Sequence, residues 1–363
     1  AIKAKLLSLS RNARNDNAFW EDALYIKDRM IVYARLVSKN DAVEINTNEQ
    51  LRELDKRSNQ LKTDSIQTIA SALDAHVDDI TNISVLKKGM TNRSFLFSCK
   101  GSQYIMRIPG EGTDALIDRA QEGEVYKAIS GFGICDELLY FSPQSGYKIT
   151  KYLEGVRSCE PENAQDLANC MGKLRAFHEL SLKVDHHFDI FHMIQFYENL
   201  WEGSPSIYKD YQETKNSVFS LQAYIDAQPK EFILTHIDAN HDNFLISSHA
   251  DGTEDIQLID WEYSGMQDPH VDLAMFSIYA LYDRARVDRL INAYFIQGCE
   301  NSIRIKIYCY IAACGLLWSN WCEYKRSLGV DFGEYSLRQY RYAKDYYRIV
   351  QQELQKIERS PNA

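Results

Sequence analysis

The sequence predicts a two-lobed α+β chain, with a small β-rich lobe first and a larger, mostly helical lobe after it. Three observations predict this. Short β-patterned runs separated by turn signals crowd residues 83–153. Long stretches of helical periodicity dominate from Glu160 onward. At 45% hydrophobic and 25% charged, the composition is that of a packed globular protein, which excludes wholesale disorder. A length of 363 residues suggests about two domains.

Residues 1–60 read as a separate piece, with an apolar-rich stretch at 30–37, the run Ala42-Val43-Glu44-Ile45 and a polar, helix-like segment at 47–55. Alone it is too small to bury a core comfortably. The β-rich lobe spans 61–154. It opens with a helix over Ser65–Ala75 that places Ile66, Ile69, Ala70 and Leu73 on one face. Strands follow at Ile83–Leu86, Ser94–Cys99 and Tyr104–Ile108, the last two forming a hairpin across Lys100-Gly101-Ser102. A helix over Thr113–Ile129 carries Asp114, Asp118 and Glu122 on its polar side. Strands at Glu137–Phe141 and Tyr147–Leu153, joined by Pro143-Gln144-Ser145-Gly146, complete a five-stranded lobe. The hinge falls just after Lys151–Gly155.

The lobe 155–363 reads as helices over Asn163–Leu180, Ile190–Leu200, Asp272–Tyr282, Arg304–Tyr324 and Tyr335–Ile357. Apolar runs at Phe232–Thr235, Asn243–Ile246 and Ile256–Ile259 interrupt them. No run approaches the roughly 20 apolar residues of a membrane span. A net charge of −10 with no basic stripe argues against nucleic acid as the main partner. The eight cysteines form no C-x-x-C and no zinc-finger spacing. With no export signal, a reducing cytoplasm is the expected compartment.

The sharpest chemical signal is Thr235-His236-Ile237-Asp238-Ala239-Asn240-His241-Asp242-Asn243. His236, Asp238 and Asn243 have the H-x-D-x-x-x-x-N spacing of kinase catalytic loops. One carboxylate orients the attacking hydroxyl and accepts its proton, and an amide oxygen across a tight loop can hold Mg²⁺. Taken alone, the same residues also suit a polar turn between strands. A second signal narrows the choice: the apolar run Ile256–Ile259 ends in Asp260-Trp261-Glu262, where kinase-like chains carry their metal-binding Asp. Two hard oxygen ligands, from Asn243 and Asp260, suit Mg²⁺ bridging nucleotide phosphates.

In the β-rich lobe, Gly89-Met90-Thr91-Asn92-Arg93-Ser94 can present backbone N–H groups to phosphates, although it is not G-x-G-x-x-G. Arg107 ends the next strand, where a bidentate guanidinium can meet phosphate; a surface cation is the plain alternative. Glu122 or Glu124, on different helix faces, can pair with Arg107, or both can be an exposed acidic face.

Together these residues resemble the choline/ethanolamine kinases, within the aminoglycoside phosphotransferase-like group of bilobal protein-kinase-like folds. The resemblance runs from about Val85 to Tyr347. It is carried by Ile259-Asp260-Trp261-Glu262-Tyr263 followed by Asp268-Pro269-His270-Val271-Asp272-Leu273-Ala274, similar to I-D-F-E-Y and D-L-A or D-I-A. Trp261 replaces the usual Phe. Lys88–Asn92 and Arg107–Thr113 look like the bacterial branch, which feeds phosphocholine into cell-surface polymers.

The resemblance implies ATP and Mg²⁺ as cofactors and transfer of the γ-phosphate to the hydroxyl of choline. It implies Asp238 as catalytic Asp, Asn243 and Asp260 at the metal, and Gly89, Thr91, Asn92, Ser94, Arg107 and Glu122 toward ATP. Tyr152 and Leu153 would border the adenine. It also implies an aromatic cage for a quaternary ammonium. Trp318 and Trp321, three apart on a helix, share a face and fit that role. Their alternative is ordinary core packing. Tyr263 belongs to the same signature. Glu262, Asp238 or Glu323 would supply the balancing charge, and Tyr340, Tyr342 or Tyr346 a third ring.

Other acceptors of the same fold are ethanolamine, an aminoglycoside or another amino alcohol. A non-catalytic module binding choline or nucleotide is a reading from another class. Residues Trp20-Glu21-Asp22 and Val43-Glu44-Ile45-Asn46-Thr47 resemble the tail of a phosphocholine or sugar nucleotidyltransferase. The resemblance there implies a fusion whose nucleotidyltransferase domain is missing from this chain, and no nucleotidyl transfer by residues 1–60 themselves.

Overall fold

The computed structural model describes residues 64–86, 92–110, 113, 115–249 and 252–359. The nucleotidyltransferase-like stretch within 1–60 lies outside the described residues, as do Gly89 and Thr91.

Five strands form one antiparallel sheet: β1 (Thr81–Val85), β2 (Asn92–Cys99), β3 (Ser102–Pro109), β4 (Leu138–Phe141) and β5 (Lys148–Lys151), in the order β1-β2-β3-β5-β4. The β2–β3 connection is the two residues Lys100 and Gly101, at φ 48° and 80°. Two successive left-handed residues match the twist of the flanking strands, and glycine takes the second without steric cost. Helix α1 (Asp64–Ala72) lays Ile66 and Ile69 on the sheet, where both are fully buried with Phe95, Phe97, Met106 and Ile149.

Helix α2 (Arg119–Ile129) joins β3 to β4. It begins six residues later than its periodicity suggests. The Asp118 carboxylate accepts the N–H groups of Ala120 and Gln121, which fixes the first turn there. Thr113 instead closes a turn, its hydroxyl donating to Gly110 O at 2.7 Å. The buried face of α2, Val125, Tyr126 and Ile129, joins the main core of the helical part rather than the α1 cluster.

That helical part holds α3 (Ala164–Glu179), α4 (Ile190–Asn199), α5 (Tyr211–Ser220), α6 (Gln222–Ala227), α7 (His270–Tyr279), α8 (Arg284–Tyr294), α9 (Asn301–Ser327) and α10 (Glu334–Arg359). Helix α7 starts two residues before the expected Asp272 and stops at Tyr279. Helix α9 is buried on every side from Ile305 to Lys325, against α4, α7 and α10. Gly315 makes the α10 contact possible: a Cβ there would stand 2.8 Å from Gln339 O and 2.7 Å from Tyr342 Cβ.

Two small sheets carry the chemistry-bearing turns. Strands β6 (Arg157–Ser158), β8 (Phe244–Ser248) and β9 (Glu254–Leu258) pair antiparallel, as do β7 (Ile233–Thr235) and β10 (Gly265–Gln267). No helix among the described residues is long and apolar enough to cross a membrane.

Candidate active site

The loop between β7 and β8 is shaped by backbone bonds to one buried side chain. Asp272, on the first turn of α7, accepts the N–H of His236 at 3.0 Å and of Ile237 at 2.7 Å, and binds His178 Nε2 at 3.0 Å. These bonds hold Ile237 at φ 70°, a left-handed conformation that costs a β-branched residue energy. His236 is buried edge-on to Trp261, with ring centroids 4.5 Å apart, and its Nε2 donates to Ile259 O at 3.0 Å. Burial holds the imidazole at about 4, so it is neutral, although Asp272 and the Ile259 carbonyl pull the other way. The loop backbone and the strand end that precedes Asp260 are thus tied directly together.

That tie brings Asp238, Asn243 and Asp260 to one place. Asn243 Nδ2 donates to Asp238 O at 2.9 Å and to its carboxylate at 3.2 Å, and Asn240 Nδ2 donates to the other oxygen at 3.1 Å. The same Asn240 caps the 3-10 turn His241–Asn243 through its side-chain oxygen. With its NH₂ used, Asn243 retains its carbonyl oxygen for a cation. Asp260 sits at φ 68°, and its Oδ1 is buried with no hydrogen-bond partner. Burial and then the Asp260 charge raise the Asp238 carboxyl well above the usual range. Burial and then Glu262 push Asp260 to about 6, against the pull of Lys148 and Arg107.

The buried Asp238 carboxylate and Asp260, which raises it and keeps one oxygen without a hydrogen bond, form a donor set suited to a small divalent cation. Among the described residues no group of three or more His, Cys, Asp or Glu could hold a metal ion. A cation here would therefore fill its shell with ligand and water oxygens.

Toward the sheet, the ladder sets Ser94, Arg107 and Lys148 side by side on β2, β3 and β5. Arg107 makes a two-pronged bond with Glu122 of α2, at 2.6 and 2.9 Å. Glu124 is instead half-exposed, 3.6 Å from His186. Burial disfavours the Arg107 charge, but Glu122 and Glu262 outweigh it and raise its pKa. Burial likewise opposes the Glu122 charge, and Arg107, Lys148 and Arg119 together hold its pKa below the usual value.

Glu262 turns toward the sheet as well. Its Oε2 accepts from Asn92 Nδ2 at 2.7 Å, Arg119 Nη1 at 3.0 Å and Arg107 Nη1 at 3.5 Å. Lys148 donates to the Tyr126 hydroxyl at 2.7 Å. Tyr152 and Leu153 are half-buried just past β5, where Tyr152 N donates to Gln103 O.

Toward the helices, Trp318 and Trp321 are perpendicular with centroids 5.5 Å apart, and Tyr263 meets Trp318 at 5.5 Å and 88°. Phe332 lies 5.2 Å beyond Trp321, and Tyr335 and Tyr279 continue the chain of rings. The Asp238 charge reaches Tyr197, Tyr263, Tyr279 and Tyr335 and adds to the burial that raises each phenol.

The three tyrosines offered as a third ring pack elsewhere. Tyr340 stacks on Tyr208 at 3.8 Å, Tyr342 donates to Tyr282 O, and Tyr346 lies against Tyr308 and Tyr342. Glu323 is buried, and its carboxylate accepts from Ser206 Oγ, from Ile207 N at 3.2 Å and from Arg326 at 3.4 Å.

Sequence reasoning overlooked Asp272, Asn240 and Arg119. Asp272 stands inside the D-L-A signature, so a spacing signal for it existed. Arg119 had only Glu122 three residues on, because its other partners, Asn92 and Glu262, come from distant parts of the chain.

Comparison with known proteins agrees with this architecture. The family described as choline/ethanolamine kinase matches residues 83–292. LicA of Haemophilus influenzae strain KW20 Rd is 26% identical over 269 residues, 69% of this chain and 95% of the relative. Choline kinase LicA from Streptococcus pneumoniae superposes with a TM-score of 0.67 at 26% identity, covering 78% of this chain and 96% of that one. LicA is also known in complex with AMP, at TM-score 0.65, 26% identity and coverage of 78% and 97%. The aminoglycoside phosphotransferase APH(4)-Ia, 15% identical at TM-score 0.57 and covering 78% of this chain and 98% of that one, shares the fold. With its antiparallel sheet, its helical part and a family match over more than half its length, the chain belongs to the choline/ethanolamine kinase family.

Proposed function

We propose that the protein is a choline kinase that transfers the γ-phosphate of ATP to the hydroxyl of choline. The observation that carries this reading is the meeting of Asp238, Asn243 and Asp260 between a guanidinium-bearing sheet and a pair of perpendicular indoles. Relatives support both ends of it, since LicA from Streptococcus pneumoniae is described as a choline kinase and LicA also binds AMP.

Asp238 accepts the hydrogen of the choline hydroxyl and aims its oxygen at the γ-phosphorus, held by the amides of Asn240 and Asn243. The new O–P bond forms as the bond to the β-phosphate oxygen breaks, and the proton goes to the Asp238 carboxylate. Asn243 and Asp260 would hold Mg²⁺, which when bound neutralises charge on the β- and γ-phosphate oxygens. Arg107 would meet the phosphates, steadied by Glu122. Ser94 and Asn92 border that path from β2. Tyr152 and Leu153, past β5, would border the adenine. Trp318, Trp321 and Tyr263 would enclose the trimethylammonium, with Asp238 as the nearby negative charge.

Ethanolamine is the second reading. The Tyr197 hydroxyl is buried without a hydrogen-bond partner and could accept from a primary ammonium. ADP release measured on the purified chain with choline, ethanolamine, other amino alcohols and an aminoglycoside separates the two. The largest kcat/KM is expected with choline, and a larger one with ethanolamine would replace the first reading by the second.

A further inference from the structure

We propose that Arg119 is a positioning residue for nucleotide binding: it neutralises Glu262 and thereby leaves the Arg107 guanidinium available to phosphate. The inference rests on the kinase reading above and adds a residue that its motifs do not single out.

The argument is one of charge and distance. Arg107 is buried and faces three carboxylates: Glu122 at 2.6 Å, Glu262 at 3.5 Å and Asp260 at 3.7 Å. One guanidinium cannot serve three anions and a phosphate. Arg119, also buried, takes the shorter contact with Glu262, 3.0 Å against 3.5 Å, and a second with Glu122 at 2.7 Å. Two guanidiniums then balance the two carboxylates Glu122 and Glu262. Lys148 brings further positive charge but is committed to the Tyr126 hydroxyl.

Arg119 also links three parts of the site. It is the first residue of α2, its Nη2 lies 3.4 Å from Asn92 Oδ1 at the start of β2, and its Nη1 reaches the turn two residues past Asp260. Without Arg119, Glu262 keeps a buried charge whose nearest remaining cation among the described residues is Arg107. Arg107 is then drawn off the phosphate position, and the turn carrying Asp260 loses its tie to α2. On the acceptor side, Trp318 and Trp321 of α9 share none of these contacts, while Tyr263, which meets Trp318, follows Glu262 in the same turn.

Nucleotide affinity measured by calorimetry with ADP and Mg²⁺ tests this, beside steady-state kinetics on the full chain. Arg119→Met is expected to weaken nucleotide binding about tenfold or more and to raise KM for ATP, with KM for choline within about twofold of wild type. Arg119→Met combined with Glu262→Gln removes the uncompensated charge and is expected to recover part of the affinity. A fold brace alone would lower the melting temperature and leave nucleotide affinity unchanged, and that result overturns the proposal. Should Arg119→Met not fold, Arg119→Lys carries the same test, with a smaller weakening expected and wild-type affinity counting against the proposal. Wild-type protein that binds no nucleotide overturns the kinase reading and the inference with it. Wild type that binds nucleotide and phosphorylates choline, beside an unaffected Arg119→Met, overturns the inference alone.

Discussion

On the sheet side of the site, Arg107 and Arg119 each meet Glu122 and Glu262 at 2.6–3.5 Å. On the helical side, Tyr263, Trp318, Trp321 and Phe332 meet ring to ring at 5.2–5.5 Å. The first is a buried ion network, in which deleting one partner strands another charge. The second is a set of ring contacts whose attraction for a cation is spread over several faces. The sheet side should therefore respond steeply to single substitutions and the ring side by degrees. Each side should fail toward its own ligand, the nucleotide or the acceptor. Asp238, between them, should fail toward both at the level of turnover.

The largest effect should come from that middle position. Asp238→Asn and Asp260→Asn are each expected to lower kcat by about 10³-fold while the circular dichroism spectrum stays that of wild type. A loss in KM alone would move both residues out of the chemical step.

Next is the ring side. Trp321→Leu should raise KM for choline about thirtyfold, near the 2 kcal/mol of a desolvated cation–π contact, with KM for ATP unchanged. Equal changes in both constants would mean that the indole braces α9 rather than meeting the acceptor.

The smallest effect is in pH. A carboxyl whose folded pKa is raised to about 6 is protonated in the folded chain below that pH. Its ionisation removes stability as pH climbs from its ordinary value toward 6. Binding of Mg²⁺ with ADP requires the ionised form, so affinity should fall about tenfold per pH unit below 6 and level off above it. Calorimetry at pH 5 in two buffers of different ionisation enthalpy should detect proton release. A pH-independent affinity would remove Asp260 from the metal.

The legibility of the two sides differs for a physical reason. Asp238, Asn243 and Asp260 are fixed by short-range spacing on one loop and one strand end, and motifs record such spacing. The five strands and the Trp318–Trp321 pair were equally local. Glu122 was separable from Glu124 only by knowing which face of α2 meets the sheet. Glu262 looked like a free acid for the acceptor, because its partners Asn92, Arg107 and Arg119 are 143–170 residues away in sequence. The rings Tyr279, Phe332 and Tyr335 come from three elements for the same reason.

Helix α8 was readable and missed. Val287, Leu290, Ile291 and Tyr294 repeat at helical spacing behind the cap Asp283, but charged residues dilute the pattern. In α5 the buried residues are only Tyr211, Thr214 and Val218, too few for periodicity to stand out.

Phosphorus NMR of the purified chain with ATP, Mg²⁺ and choline tests the central claim most directly. The account predicts that the ATP signals give way to those of ADP and of a phosphomonoester identical with phosphocholine, and that Asp238→Asn produces neither. Inorganic phosphate as the sole new signal, or ATP left intact beside a folded protein, would contradict it.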